Sequence, residues 1–584
     1  MKIVCLVKQV PRADSIAFDE ETKSLRREGV PLLLNPFDAA AVAHAAALRD
    51  HNGGEVIAMT MGPPQAEEAL RSCLALGADR CIHLSDRVFA VADTIGTSRT
   101  LALAIEREGG VDLVVAGRKT TDSETWQVPP EVAAFLGWPH LTSVVDTESE
   151  NGKLRATRET DDGFETYELP LPGVISIAYA RDGEVEPSEG QIDTWTASDL
   201  VDDVRENDKR FGQTGSPTRV LAVRDVTPPR ASEAAATPDA ARERIEALLA
   251  ERKLPPSEWE KPERLGERPG RSYDCWTLVE LDDGRPTRHS LELLGKGREL
   301  AGKLGGENVA LLVGSGLDSA AKEAGRFGAE RVVLVESGDL EEFHPERHAA
   351  AVRAVVEARR PHVLLVPSTA NGRDVGPRVA GDLTLGMTGD CVGLGIDRAG
   401  RLIQTKPAYG GNIVSVIMGA TTPQLATVRA RMFEPLEPRD AEPAIELFDH
   451  DVSDPGVTLL TRDPAPARDL DEADVVVCLG PELEPGEVAN ARAVAEGLGA
   501  AVGGTREVCE RGDLPQNRQI GLYGRPVAPE LLLTVGVPGD FEQATGFVKA
   551  HVIVAVGREP SEQLRPLADV SIAGDWREIL PALL

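Results

Sequence analysis

The chain has no apolar run long enough to span a bilayer, and its apolar start, Met1 to Lys8, is too short for a secretory signal. The expectation is a soluble cytoplasmic protein with no transmembrane segment. Cysteine is also scarce: seven residues, at positions 5, 73, 81, 275, 391, 478 and 509, with no CxxC pair among them. That spacing indicates neither a disulfide framework nor a zinc or iron–sulfur site, so no metal is expected. Positive charge is in deficit, with 63 Lys and Arg against 95 Asp and Glu and a net charge of −32. Such a field repels phosphate and argues against nucleic acid as a partner; a solubilising surface is its simplest role.

What the chain has is length and alternation. At 584 residues it exceeds what one core supports and should divide into about three or four domains. A short strand at 3–7 ends at Lys8-Gln-Val-Pro11, and Asn35-Pro-Phe-Asp38 caps an Ala-rich helix running to about Arg49. Next come Gly53–Ala58, Gly62-Pro-Pro64, a helix ending in Leu76-Gly-Ala-Asp79, the strand Cys81–Leu84, and the strand Asp112–Gly117, which leads into Arg118–Asp122. The same order returns in the second half. A helix opens at Ser290–Leu294, and the strands Val309–Val313, Val332–Val335 and Val363–Val366 follow. An offset of about 250 residues, held over several elements, marks a duplicated α/β domain with a doubly wound, mostly parallel sheet in each copy.

A third α/β segment begins near Asp474, with strands at Val475–Cys478, Leu531–Val535 and Val552–Val556 and a helix at Glu487–Gly497. The expected division is therefore 1–225, a linker over 226–272 with one helix near 240–252, 273–432, a hinge over 433–473, and a C-terminal lobe over 474–584.

Four polar turns punctuate the second copy: Asn371-Gly-Arg-Asp374, Thr388-Gly-Asp-Cys391, Thr405-Lys-Pro-Ala-Tyr-Gly-Gly-Asn412 and Pro423-Gln-Leu-Ala-Thr-Val-Arg429. Taken singly, each is only a turn. Their order and spacing resemble the large subunit of the electron transfer flavoproteins. The first copy, through Lys8-Gln-Val-Pro11, Asn35-Pro-Phe-Asp38, Leu76-Gly-Ala-Asp79, Gly117-Arg118 and Gly215-Ser-Pro-Thr218, is similar to the small subunit of the same family. The resemblance thus implies a fused small-plus-large chain, an electron carrier with no catalytic acid, base or nucleophile of its own. None is conspicuous. The Cys391 thiol reads as a packed turn residue.

In that family a nucleotide sits against the loop that here reads Thr120-Thr-Asp-Ser-Glu-Thr-Trp-Gln-Val128. Hydroxyls and successive N–H groups at the start of a helix suit phosphate. The candidate contacts are Thr120, Asp122, Ser123, Thr125, Gln127 and Val128, joined by Leu6 and Asn35. The loop leaves AMP and a second FAD open, and a plain solvated helix cap is the alternative. The long loop after Ile177 that docks the family's dehydrogenase partners is short and acidic here, with Glu184, Glu186 and Glu189, so an altered partner is expected.

The third segment resembles the family's FAD-binding lobe. The resemblance assigns flavin contacts to Arg506, where a cation favours the anionic reduced ring, to Gln519, Gly521, Tyr523 and Gly524, and to Gly536, Val537, Gly539, Gln543 and Asp575, with Phe37 from the first copy. Several positions depart from the family. Tyr523 stands where a smaller hydroxyl usually faces the flavin, Gln543 replaces a histidine, and Val556-Gly-Arg-Glu559 loses an asparagine. Pro538 removes a donor, and Asp540 and Glu542 bring negative charge beside a pyrophosphate, each close pair costing roughly 1 kcal/mol. Arg525 and Arg558 are the cations at hand to offset it.

The functional expectation is an FAD carrier between flavoprotein dehydrogenases, such as the acyl-CoA dehydrogenases of fatty acid β-oxidation, and a membrane-associated quinone oxidoreductase. Two alternatives stand beside it: a nucleotide-binding scaffold that has lost the lobe flavin, and a bifurcating variant with FAD in the first copy.

Overall fold

A computed structural model describes residues 1–12, 15, 17–19, 24–26, 30–150, 152–181, 185–205, 207–225, 229–265, 273–408, 413–452, 456–465 and 468–584. Glu184 and the Tyr409–Asn412 end of the third turn motif lie outside the described residues.

The first half is built on one ten-stranded sheet. Seven strands run parallel in the order Ile192–Trp195, Arg80–Leu84, Glu55–Met61, Lys2–Leu6, Leu113–Gly117, Gly173–Ile177 and His140–Glu150. The central strands Glu55–Met61, Lys2–Leu6 and Leu113–Gly117 are mostly apolar and buried, as strands covered on both faces require. The second half repeats this order strand for strand: Ala444–Leu447, Arg331–Glu336, Asn308–Gly314, Cys275–Val279, Val363–Pro367, Gln424–Val428 and Met387–Cys391, all parallel. The duplication is thus architectural.

The two halves are interlocked by exchanged strands. Thr218–Asp225, which follows the first half, pairs antiparallel with Ile413–Gly419 of the second. In return Thr458–Pro464, which follows the second half, pairs antiparallel with Gly163–Pro170 of the first. Side chains cross as well. Ile95 and Phe135 of the first half pack into the second half's core. Arg158, wholly buried, pairs with the equally buried Asp374, and His140 Nδ1 meets Glu346 Oε1 at 2.7 Å. The halves form one body.

The 474–584 lobe holds a six-stranded, all-parallel sheet in the order Glu233–Ala235, Val570–Ala573, Val552–Gly557, Leu531–Val535, Val475–Leu479 and Ala501–Gly504. Its outermost strand comes from the stretch read as a linker. That stretch also supplies the helix Pro238–Glu251, started by the Thr237 hydroxyl, which accepts from Ala240 N. Ala241, Ile245 and Leu248 of this helix sit in the lobe's core. Arg230 and Arg252 close on the wholly buried Asp569 at 2.8 Å each, so both ends of the segment are fixed to the lobe. The two lobe cores contain residues only from this segment and from Leu470 onward. Among the described residues the lobe therefore meets the body outside either core, through polar contacts and the Tyr523–Phe37 ring pair, the kind of interface that separates readily.

Among the described residues no helix is long and apolar enough to cross a membrane. All seven cysteines are buried and free, and burial pushes the Cys391 thiol up to about 12, which keeps it inert.

Candidate functional site

In open parallel sheets ligands lie beyond the carboxyl ends of the strands, where the strand order reverses. The lobe's reversal falls between Val475–Leu479 and Leu531–Val535. A cavity of about 260 Å³ opens there, walled by Glu482, Gly536, Arg558, Asp575, Trp576 and Arg577. Gly536, with φ +63°, turns the chain at the end of its strand. Among the described residues the buried indole Nε1 of Trp576, on the cavity wall, has no hydrogen-bond partner, nor has the buried hydroxyl Oγ1 of Thr505, which follows the strand Ala501–Gly504 beside Arg506. An orphaned donor on a switch-point cavity is what a polar ligand would satisfy, and the residues present fit a dinucleotide. The wall charges are mixed. Arg577 pairs with Glu487 at 2.7 Å and with Asp575 at 3.1 Å, and Arg558 lies near enough to both acids to draw their carboxyls down.

At the lobe's edge the residues assigned to the flavin ring come together and meet the body. The Arg506 guanidinium lies 5.1 Å from the centroid of the Tyr523 ring, whose hydroxyl donates to Glu542 Oε1 at 3.1 Å. Tyr523 faces Phe37 of the first half, the ring centroids 6.1 Å apart. Gly521 and Gly524 form the turn that carries Tyr523, and Gln519 closes it by accepting from Arg525 N at 2.7 Å. Gln543 is turned inward, its Oε1 accepting from Gly539 N at 2.9 Å, so its amide is engaged by the glycine turn itself. Val537 is packed in the lobe core.

The first half's reversal falls between Lys2–Leu6 and Leu113–Gly117. Asp38 bridges the two strand ends, accepting from Lys8 N at 2.9 Å and Gly117 N at 3.1 Å; burial raises its carboxyl to about 7. A side chain on Gly117 would strike Asp38 and Phe37, which explains the glycine. Leu6 is buried in the core at the end of its strand, and the buried Asn35 donates to Lys119 O at 3.0 Å. The loop beyond is held by its own polar groups. Thr120 Oγ1 donates to Asp122 Oδ1 at 2.7 Å and lies 2.9 Å from Ser123 Oγ, while Lys8 reaches Asp122 at 2.6 Å. Burial opposes charge on Asp122, yet Lys8 holds its carboxyl below the usual range. Gln127 donates to Met387 O at 3.1 Å, and Thr125 O lies against Gly389, so this loop is buttressed by the second half. Val128 begins the following helix.

Three contributors were not singled out from sequence. Trp126, at φ +63°, is covered by Arg373 at 4.1 Å and Arg118 at 4.9 Å. Arg118 also lies 5.3 Å from the Phe37 ring and donates to Tyr523 O at 3.2 Å. Burial lowers Arg118 to about 10 and its Nε has no partner. A stack therefore runs from Arg506 through Tyr523, Phe37, Arg118 and Trp126 to Arg373, joining lobe, first half and second half. Its members are scattered along the chain, and only the glycine-flanked motifs around them gave a signal.

The electron transfer flavoprotein domain model matches residues 22–200 and again 275–453, and the electron transfer flavoprotein FAD-binding domain model matches 469–548. The chain is 31% identical over 320 residues to the electron transfer flavoprotein subunit alpha of Thermoanaerobacterium thermosaccharolyticum, covering 53% of this chain and 96% of that protein. The subunit beta of the same organism is 38% identical over 238 residues, covering 40% of this chain and 91% of that protein. The caffeyl-CoA reductase-Etf complex subunit CarD of Acetobacterium woodii is 41% identical over 234 residues, covering 39% of this chain and 88% of that protein.

Proposed function

The chain belongs to the electron transfer flavoprotein family, and from that premise we propose that it is a single-chain carrier holding FAD in the 474–584 lobe, with both ancestral subunits in one polypeptide. The observation that carries this reading is the meeting of Arg506 and Tyr523 with Phe37 across the lobe–body boundary, in a lobe whose switch-point cavity has the orphaned Trp576 Nε1 on its wall. FAD, when bound, supplies reversible uptake and release of electrons. The protein's part is to hold and orient it. Thr505 and Trp576 would satisfy their free polar atoms on it, and Gly521, Gly524, Gly536 and Gly539, with Gln519, Val537 and Asp575, would form its cradle. Arg506 would favour the reduced, anionic ring. Gln543 acts through the Gly539 turn rather than by direct contact.

The donor is a flavoprotein dehydrogenase and the acceptor a membrane-associated quinone oxidoreductase. The short acidic loop after Ile177, with Glu186 and Glu189 exposed, favours a donor with a basic docking face. The Thr120–Val128 loop takes the phosphate end of a second nucleotide, AMP or FAD; the buttressing of this loop by Met387 and Gly389 supports a built site over a bare helix cap. Denaturing the purified protein and identifying the released nucleotides tests both sites. One FAD with one AMP per chain fits the carrier, two FAD fit a bifurcating variant, and no flavin leaves only a scaffold.

A further inference from the structure

Among the described residues the lobe shares no hydrophobic core with the body. Beside the Tyr523 face, its most buried ion pair to the body is made by one side chain. Arg525, two residues beyond Tyr523, is 14% exposed. Its Nη1 donates to Asp161 Oδ1 at 2.9 Å and to Asp471 Oδ2 at 2.7 Å, its Nε to Asn517 O at 3.1 Å, and Glu159 lies 3.8 Å away. These acids come from different elements. Asp161 is at the tip of the hairpin formed by Lys153–Glu159 and Gly163–Pro170 in the first half. Its second oxygen accepts from Ala370 N at 2.7 Å, at the start of the second half's helix Ala370–Leu383. Asp471 lies on the helix Arg468–Glu472 at the root of the lobe, whose Leu470 is packed in the lobe's core, so it orients Arg525 from the lobe's own side while Asp161 is the partner across the boundary.

We propose that Arg525 is the positioning residue that seats the lobe: a single guanidinium, clasped by Asp161 of the body and Asp471 at the lobe's root, holds the Tyr523 face against Phe37, and opening this clasp frees the lobe to swing. The proposal deepens the carrier reading above and rests on it only for what the lobe carries.

Asp161, Asp471 and Glu159 face Arg525, and Arg373 and Arg118 stand close by, so the cluster is near charge balance and Arg525 is its cation carried by the lobe. A buried pair also loses most when one partner is removed, because the remaining charge stays desolvated. Arg118 of the body also donates to Tyr523 O at 3.2 Å, but through a backbone carbonyl and without an opposite charge; the other ties are peripheral. Arg431 reaches the 61%-exposed Asp474, and Asn517 donates to Ala465 O on the connecting segment.

The test reads lobe position in the full-length purified protein and does not depend on flavin. Because the native cysteines are buried, spin labels attach at Glu357→Cys on the body and Glu496→Cys on the lobe, both exposed positions. The parent should give one narrow distance distribution. In Arg525→Gln that peak should lose amplitude to a second, broader population; Asp161→Asn should do so less, and Arg525→Lys should recover part of the seated peak. A parent-like distribution in a folded Arg525→Gln variant overturns the proposal, even if its melting temperature falls, since a merely structural role moves stability and not position. If Arg525→Gln fails to fold, Asp161→Asn decides alone, and an unchanged peak there overturns it too. Loss of flavin with an unchanged distance would instead count against the carrier reading.

Discussion

The junction between the two halves and the junction between lobe and body differ in kind. The halves trade strands, share a core through Ile95 and Phe135, and bury Arg158 against Asp374 with both side chains wholly excluded from solvent. Among the described residues the lobe trades no strand with the body's sheets and shares no core; its most buried ion pair to the body, made by Arg525, keeps partial contact with water. One junction is built to be permanent and the other to be reversible. In a carrier that must meet a donor and an acceptor in turn, the reversible junction belongs beside the redox group and the permanent one behind it.

The sharpest way to break this contrast is to attack the permanent junction. Asp374→Ala takes away the close partner of the buried Arg158, leaving only Glu165 at 3.7 Å, and should cost about 3–5 kcal/mol, seen as an early transition in urea denaturation followed by tryptophan fluorescence. A loss no greater than that of Arg525→Ala would erase the distinction between the two junctions. Next comes the clamp that binds the 229–252 segment to the lobe. Asp569→Ala leaves Arg230 and Arg252 without their shared acceptor and should cost roughly 2–5 kcal/mol, with hydrogen exchange rising across 229–252 and the body unchanged.

A pH series sharpens the comparison. Burial pushes the Asp471 carboxyl up to about 6, with Arg525 drawing it down and Asp161 pushing it up. Arg373 also faces this carboxyl, and Glu159 and Arg118 stand behind Arg525. A carboxyl raised in the folded protein binds a proton there, so its contribution to stability is present at low pH and is lost as pH rises through about 6. The melting temperature of Asp471→Asn should depend less on pH between 5 and 7.5 than that of the parent, and an equal dependence would remove Asp471 as its source. The smallest effect is expected at the two orphaned polar groups: Trp576→Phe and Thr505→Val each remove one polar contact worth about 1 kcal/mol. Each should weaken FAD uptake several-fold in a fluorescence titration without shifting the lobe.

The duplication was legible because parallel strands buried on both faces are written as apolar runs, such as Val363–Val366 and Leu113–Ala116, and the glycine turns between them recur in register. The proximity of Phe37, Arg506 and Tyr523 came from the family resemblance, and the structure brings them together. What local pattern does not carry is who pairs with whom at long range. Thr458–Pro464 is mostly exposed and polar, and read as part of a hinge; it becomes a strand only because the Gly163–Pro170 edge is there to receive it. Arg525 read as a counter-charge for acids near a pyrophosphate, whereas its guanidinium is taken by Asp161 and Asp471. The 226–272 stretch looked like spacer because Pro, Glu and Arg dominate it, and three small or aliphatic residues, Ala241, Ile245 and Leu248, suffice to dock its helix.

The most direct measurement is a titration of the flavin-stripped, full-length protein with FAD, following absorbance and flavin fluorescence. The account predicts saturable uptake of one FAD by the 474–584 lobe, weakened by Trp576→Phe. Protein that stays colourless and takes up no FAD in any buffer or salt would contradict it.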